Sequence, residues 1–435
     1  MPVQPATGRS SRCIAYMSDP ETSPTTTTSL NRFIPVTLFM PLFGAVLGID
    51  GGPIFQILAI EDLELSPTAI GVAFGFGIVS VPIQLYAARI PLHRARRNTQ
   101  LFLIIAAVQA WILALLVALE VTGPLASTAL VVTVTAEIAL SVLFATAWQP
   151  LLSWSVNTTQ RQRLNATWPA VARGLLAGLL VLFAALDGPG RALFITAVGL
   201  LAATCALGLQ RVPDPPRHVD AHTPTAHTPT AHTNENTSRV PLSKETRAIL
   251  IVFAAVNVGA LPLWLVYLDT VLWPTANLGV VAGLQVAASM VALLAWRPTD
   301  GDVAMRALVA SIVLLGAVTA IPLVGDTVDT PATQATILAI TAAIGAAGTT
   351  IRVAMLETAH RAIKPANSVR AFTILDVVAS TSLQAGLLAG GFLIAASTTT
   401  WPIDPYLIFV IASSTAALIA VRLSARPAPP LSPAQ

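Results

Sequence analysis

The chain runs to 435 residues, 54% hydrophobic and only 10% charged, with a net charge of +3. Soluble globular chains carry about 25% charged residues, so this one cannot clothe itself for water and must take lipid as its solvent. Its basic residues are spread over short turns between apolar stretches, which excludes a nucleic-acid-binding face.

Residues 1–32 are polar and rich in Thr and Pro. They lack the apolar core of a signal peptide and read as a disordered tail. About twelve membrane helices follow, at roughly 33–58, 67–88, 100–120, 125–150, 167–186, 192–209, 248–271, 277–296, 305–324, 333–357, 371–396 and 405–422. Each is close to the roughly 20 apolar residues that cross a hydrocarbon core about 30 Å thick. The first pair sets the pattern. An acidic turn, Glu61-Asp62-Leu63-Glu64, joins the two spans, and a basic knot from Arg89 through Arg94, Arg96 and Arg97 follows them.

The later turns repeat that polarity. Of the 24 Lys and Arg residues, all but Arg191 fall in one set of alternate loops and tails, or within the last turns leading there. This positive-inside asymmetry places both termini in the cytoplasm and the protein in the cell membrane as a multi-pass chain. Glu61, Asp62, Glu64, Glu120, Asp187, Asp326, Asp329 and Asp404 fall on the opposite side.

The longest interruption, 210–247, contains His222, His227 and His232 in a repeated Thr-Pro-Thr-Ala context. Such a segment buries no core, and nothing holds the imidazoles in a ligand geometry, so it reads as an extended cytoplasmic linker. It separates a six-helix half at 33–209 from a second at 248–422, with a short tail at 423–435. Cys13 and Cys205, the two cysteines, give neither a disulfide framework nor metal spacing. There is no phosphate-binding Gly-Lys-Ser/Thr loop, so no nucleotide and no other cofactor is expected.

Six spans, a long cytoplasmic linker and six more spans resemble the major facilitator superfamily. The segment Leu63-Glu64-Leu65-Ser66-Pro67-Thr68-Ala69-Ile70-Gly71 looks like the start of that family's second helix. The loop after the second span departs from the family pattern. Ala88 and Pro91 stand where the family carries Asp and Gly, while Arg89, Arg94, Arg96 and Arg97 keep the basic character. The loop Arg297-Pro298-Thr299-Asp300-Gly301-Asp302 keeps an Asp-Gly pair. The fourth-helix arginine of proton antiporters and the fifth-helix Gly-Pro pattern of drug exporters are absent. The resemblance implies an all-α integral membrane fold with two six-helix halves that rock around a midplane site.

A charge at the bilayer centre costs about 2.5 kcal/mol or more, so polar residues inside the spans are the site candidates. Glu137 lies halfway along the fourth span, with Ser141 and Trp148 on its face. The resemblance implies that this helix lines the central cavity. A carboxyl there is suited to carry a proton; the alternative is a protonated Glu bonded to a neighbouring helix. Asp50 sits in Gly48-Ile49-Asp50-Gly51-Gly52-Pro53, where glycines and proline loosen the first span beside a carboxylate. Asn257 is a cavity candidate on the seventh span. Gln384 belongs to a stripe with Thr373, Asp376 and Ser380 on the eleventh.

Arg173, Asp376 and Arg352, with Glu357, lie toward the cytoplasmic ends and suggest a gate in which Arg173 pairs with Asp376; snorkelling to the headgroups is the alternative. Asp269 beside Trp273-Pro274, and the cluster Trp148, Trp154 and Trp168, read as markers of the water interface. The function expected is a secondary active transporter for a small, largely apolar organic molecule. It is expected to be proton-coupled, to lean toward export, and to work as a monomer. The alternatives are a transport-dead sensor or scaffold and, further off, an integral-membrane transferase.

Overall fold

The computed structural model describes residues 30–47, 52–76, 79, 81–83, 92–155, 158–212, 250–252, 254–255, 263–295, 303–324, 328–362, 368–398 and 404–424. Among these there is helix and no strand. The helices are α1 (Leu30–Leu47), α2 (Pro53–Ile57), α3 (Pro67–Gly75), α4 (Ala95–Ala118), α5 (Gly123–Ser155), α6 (Thr158–Ala184), α7 (Gly188–Leu209), α8 (Trp264–Tyr267), α9 (Leu278–Ala295), α10 (Val303–Thr319), α11 (Pro331–Ala362), α12 (Ser368–Ser397) and α13 (Pro405–Ser424). All twelve predicted span positions contain described helix. Residues 1–29 of the predicted N-terminal tail and nearly all of the predicted linker lie outside the described residues, while the last three tail residues, 30–32, already belong to α1.

Among the described residues six stretches are long and apolar enough to cross a membrane: Ala95–Ala118, Gly188–Leu209, Leu278–Ala295, Met305–Val324, Pro331–Met355 and Val377–Ser397. α4 shows why lipid must surround them. Its buried side is apolar (Phe102, Leu103, Ala106, Ala110), and so is its exposed side (Leu101, Ile104, Val108, Leu115). A helix apolar all round cannot lie at a water-facing surface.

Several helices outrun the predicted spans. α6 starts at Thr158 rather than 167, and its extra turns carry Arg161 and Arg163. α5, α11 and α12 overshoot in the same way at their basic ends. Hydropathy marks the hydrocarbon boundary, whereas backbone hydrogen bonding continues into the headgroup layer.

The first predicted span is interrupted. α1 ends at Leu47 and helix resumes at Pro53 with Gly52 as extended N-cap, at φ −45° and ψ 131°. A Cβ on Gly52 would lie 2.2 Å from the Gly44 carbonyl oxygen and 2.6 Å from that of Ala45. The chain thus folds tightly back on its own preceding turn, and only glycine fits. Ile54, Phe55, Gln56 and Ile57 are all buried after the break.

Among the described residues the first half of the chain meets the second chiefly along two crossings. α3 packs on α12, and α6 packs on α9. Both crossings depend on glycine. A Cβ on Gly391 would stand 2.6 Å from the Pro67 carbonyl oxygen and 2.7 Å from the Gly71 Cα. One on Gly279 would stand 2.2 Å from the Ala184 Cβ and 2.7 Å from the Leu180 carbonyl oxygen. Small residues let backbones approach where no hydrophobic force drives helices together. Gly391→Val is therefore expected to lower stability by about 1–3 kcal/mol, the usual cost of overpacking. Gly208→Ala, whose Cβ would meet nothing within 4 Å, is expected to leave it unchanged. Thermal unfolding of the two variants in detergent checks the contrast.

Candidate functional site

At one end of the bundle the first predicted span does not finish as an ordinary helix. After α2 it widens into a π-turn, Leu58–Asp62, which ends in Glu61 and Asp62. The seventh predicted span does the same after α8, with the π-turn Leu268–Leu272 carrying Asp269. Single π-turns of this kind often mark functional segments. This is the acidic end of the molecule.

The first π-turn, and the residue immediately before the second, are each tied to the start of a helix much later in the same half of the chain. Arg191, in the first turn of α7, bonds Glu61 Oε2 at 2.6 Å and Asp62 Oδ2 at 2.8 Å. Its guanidinium also sits 5.2 Å from the centre of the Phe183 ring. The side chains of Arg191 and Asp62 are each 11% exposed, that of Glu61 33%. In the second half, Tyr267 donates to Asp404 Oδ2 at 2.5 Å, and Ser397 donates to Asp404 Oδ1 at 2.6 Å. The caps match as well. Asp187 accepts from the Gly190 N–H at 2.9 Å to start α7, and Asp404 accepts from the Leu407 N–H at 3.1 Å to start α13. The Tyr267 and Tyr406 rings lie 4.8 Å apart, and the Trp264 indole N–H donates to Thr341 at 3.0 Å.

The predicted site residues are unevenly represented. Asp50 and Asn257 lie outside the described residues. Glu137 and Ser141 are on α5, and Asp376 is on α12, but their side chains lie outside the described set.

Gln384 is described fully. It is 3% exposed, its amide N–H donates to Ser380 Oγ at 3.0 Å, and its carbonyl oxygen is buried without a hydrogen-bond partner. Such an orphaned acceptor is rare and calls for a reason. Arg173 donates to Thr349 Oγ1 at 3.1 Å, a polar link from α6 to α11 that joins the two halves of the chain. Arg352 lies further along α11 and is exposed, with Glu357 half-buried beyond it.

Trp148 is not an interface marker. It is 7% exposed, stacked on Phe144 at 5.2 Å and edge-on to Phe33 at 5.6 Å. The aromatic cluster, with Phe102 against Phe144 at 5.0 Å, fastens α1, α4 and α5 together. At the basic end, Arg32 and Arg96 donate to the carbonyls of Arg211 and Gln210, and Gln100 donates to that of Ala206 at 3.2 Å. Cations thus meet the negative end of α7 just before the chain enters the predicted linker.

No family model matches the sequence, and no curated protein matches it. Solved structures do. The chain is similar to the nucleoside transporter NupG at 14% identity and a TM-score of 0.56, over 92% of this chain and 98% of that one. It is similar to a bacterial metal transporter at 12% identity and 0.55, over 91% and 97%. It is similar to a bacterial homologue of the iron transporter ferroportin, in its outward-facing state, at 15% and 0.53, over 90% and 98%. At such identities the likeness concerns the fold alone.

The Arg191 latch makes a graded prediction. Asp62→Asn is expected to cost about 1–3 kcal/mol, because it removes a charge-assisted bond in a nearly enclosed site. Glu61→Gln, at a more exposed carboxylate, is expected to cost less. Thermal unfolding of both variants in detergent tests the order.

Proposed function

We propose that this protein is a secondary active transporter that moves a small organic molecule across the cytoplasmic membrane by alternating access. The single observation that carries this reading is the likeness to transporter structures over nine tenths of the chain. The basic end faces the cytoplasm, following the Lys and Arg asymmetry, and the acidic end faces outward. The two six-helix halves, 33–209 and 248–422, rock against each other along the glycine crossings.

In this reading Glu137 carries the coupling proton. Its place halfway along the fourth span, where a charge is costly, supports that role. Asp50 on the first span and Asn257 on the seventh line the substrate path in this reading. Gln384 offers its unpartnered carbonyl to a hydroxyl or amino group of the substrate, and Ser141 adds a hydroxyl. Arg173 works as the cytoplasmic gate. It exchanges its bond with Thr349 for one with Asp376 as the halves move, with Arg352 nearby on α11. The substrate is largely apolar with a hydrogen-bonding group, and the direction is export.

Purified protein in proteoliposomes loaded with a pH-sensitive dye tests the reading. A transported compound is expected to drive a proton flux. Glu137→Gln is expected to abolish pH-driven accumulation while keeping substrate exchange and a normal unfolding temperature. Full pH-dependent accumulation in that variant would remove Glu137 from the mechanism. Gln384→Leu is expected to raise KM about tenfold with little change in kcat, as loss of one hydrogen bond made equally in both states does. Initial rates across substrate concentrations check this.

A further inference from the structure

We infer that the paired lipid-facing sides of α4 and α7, headed by Arg94, Arg97 and Arg211 at the basic end, form a binding site for an anionic phospholipid carrying two phosphates. The two helices pack against each other along their length. Three ties hold them antiparallel and in register. The Arg96 guanidinium donates to the Gln210 carbonyl at 3.2 Å, the Gln100 amide to that of Ala206 at 3.2 Å, and the Trp111 indole to that of Thr196 at 3.3 Å. Arg32, at the start of α1, donates to the Arg211 carbonyl and brings a third helix to the same end.

Five arginines therefore gather where α1, α4 and α7 meet, and these three helices contain no Asp or Glu. α5, which packs against the turn 92–94, brings no charged residue in its last turns. Asp214, in the chain just beyond α7, lies outside the described residues. Arg32 and Arg96 are half-buried, and each places an N–H on the carbonyl end of α7, where the helix dipole favours a cation. Arg94, Arg97 and Arg211 are exposed, and among the described residues no ion pair engages them. They come from two helices, so their guanidiniums can grip two linked phosphates, each in the forked manner that suits arginine.

The apolar surface below them matches the rest of a lipid. Arg97 heads an exposed stripe of Leu101, Ile104, Val108 and Leu115, at i+4, i+7, i+11 and i+18. Arg211 ends the corresponding stripe of α7, with exposed Leu207, Leu200 and Leu193 at i−4, i−11 and i−18. Thr204 lies between them and turns its hydroxyl onto the Leu200 carbonyl at 2.8 Å, so it leaves no polar group bare to the acyl chains. From Arg97 to Val108 the stripe runs about 16 Å, close to one leaflet of hydrocarbon. A soluble anion would meet the arginines but not these stripes. Basic clusters at the ends of membrane helices bind anionic headgroups in this way. The inference is independent of what the protein transports.

The test is native mass spectrometry of the full chain in a neutral detergent, with equal amounts of cardiolipin and phosphatidylcholine. The parent is expected to retain cardiolipin preferentially, and Arg97→Gln to cut that preference roughly fivefold, the factor carried by about 1 kcal/mol per arginine. The triple variant Arg94→Gln, Arg97→Gln, Arg211→Gln is expected to abolish it. Arg422→Gln, at an exposed arginine in the last turn of α13, is expected to leave it intact. Cardiolipin is expected to raise the unfolding temperature of the parent and not of the triple variant, while the two unfold alike without lipid. Phosphatidylglycerol, with one phosphate, is expected to bind more weakly, and inorganic phosphate in large excess to displace nothing. A parent without preference, variants that keep it, an equal loss in Arg422→Gln, equal binding of phosphatidylglycerol, or displacement by inorganic phosphate would overturn the inference.

Discussion

A peptide group inside hydrocarbon has no water to bond, so the chain can leave the helix only where protein covers it. That constraint explains where this chain breaks. The interruption before Pro53 is roofed by its own preceding turn, so closely that Gly52 has no room for a Cβ. The helix that follows is buried on nearly every residue, and only then does the backbone widen into the π-turn. The seventh predicted span follows the same course, from buried α8 into its own π-turn. Departures from regular helix are costly in lipid, and among the described residues both π-turns fall in the first and seventh predicted spans.

The two halves of the chain apply one plan with different chemistry. Asp187 and Asp404 cap their helices through the same i+3 N–H. In each half the π-turn, or the residue immediately before it, is tied to the start of the capped helix or to the cap itself. The first half uses a guanidinium and two carboxylates; the second uses a phenol, a hydroxyl and one carboxylate. The second half has no counterpart to Arg191 at this place among the described residues. A repeat that diverged this way keeps its mechanical joints while changing the groups that make them.

Much of the architecture is legible in the sequence because the bilayer imposes its own length on apolar runs. Helix appears at all twelve predicted positions, and the loosened stretch around Gly52 was marked by its glycines and proline. Helix ends were not legible at the basic side, since Thr158 to Arg163 look like loop to hydropathy but satisfy their backbone groups as helix. Trp148 misled because an indole suits both an interface and a packed cluster, and only the positions of Phe33 and Phe144 decide between them.

Arg191 held the signal most easily missed. It is the single basic residue on the acidic side, and taken alone it weakens the rule that orients the chain. Its contacts turn that exception into support. Bound to Glu61 and Asp62, it contributes no net positive charge to that end; the three groups together carry one negative charge. The side that would face outward therefore remains acidic, as the rule requires, and the arginine is retained as a fastener for the end of the first helix. An isolated cation in a field of acids is best read as a demand for partners. Here one of those partners, Asp62, lies 129 residues away in the chain and within one hydrogen bond in space.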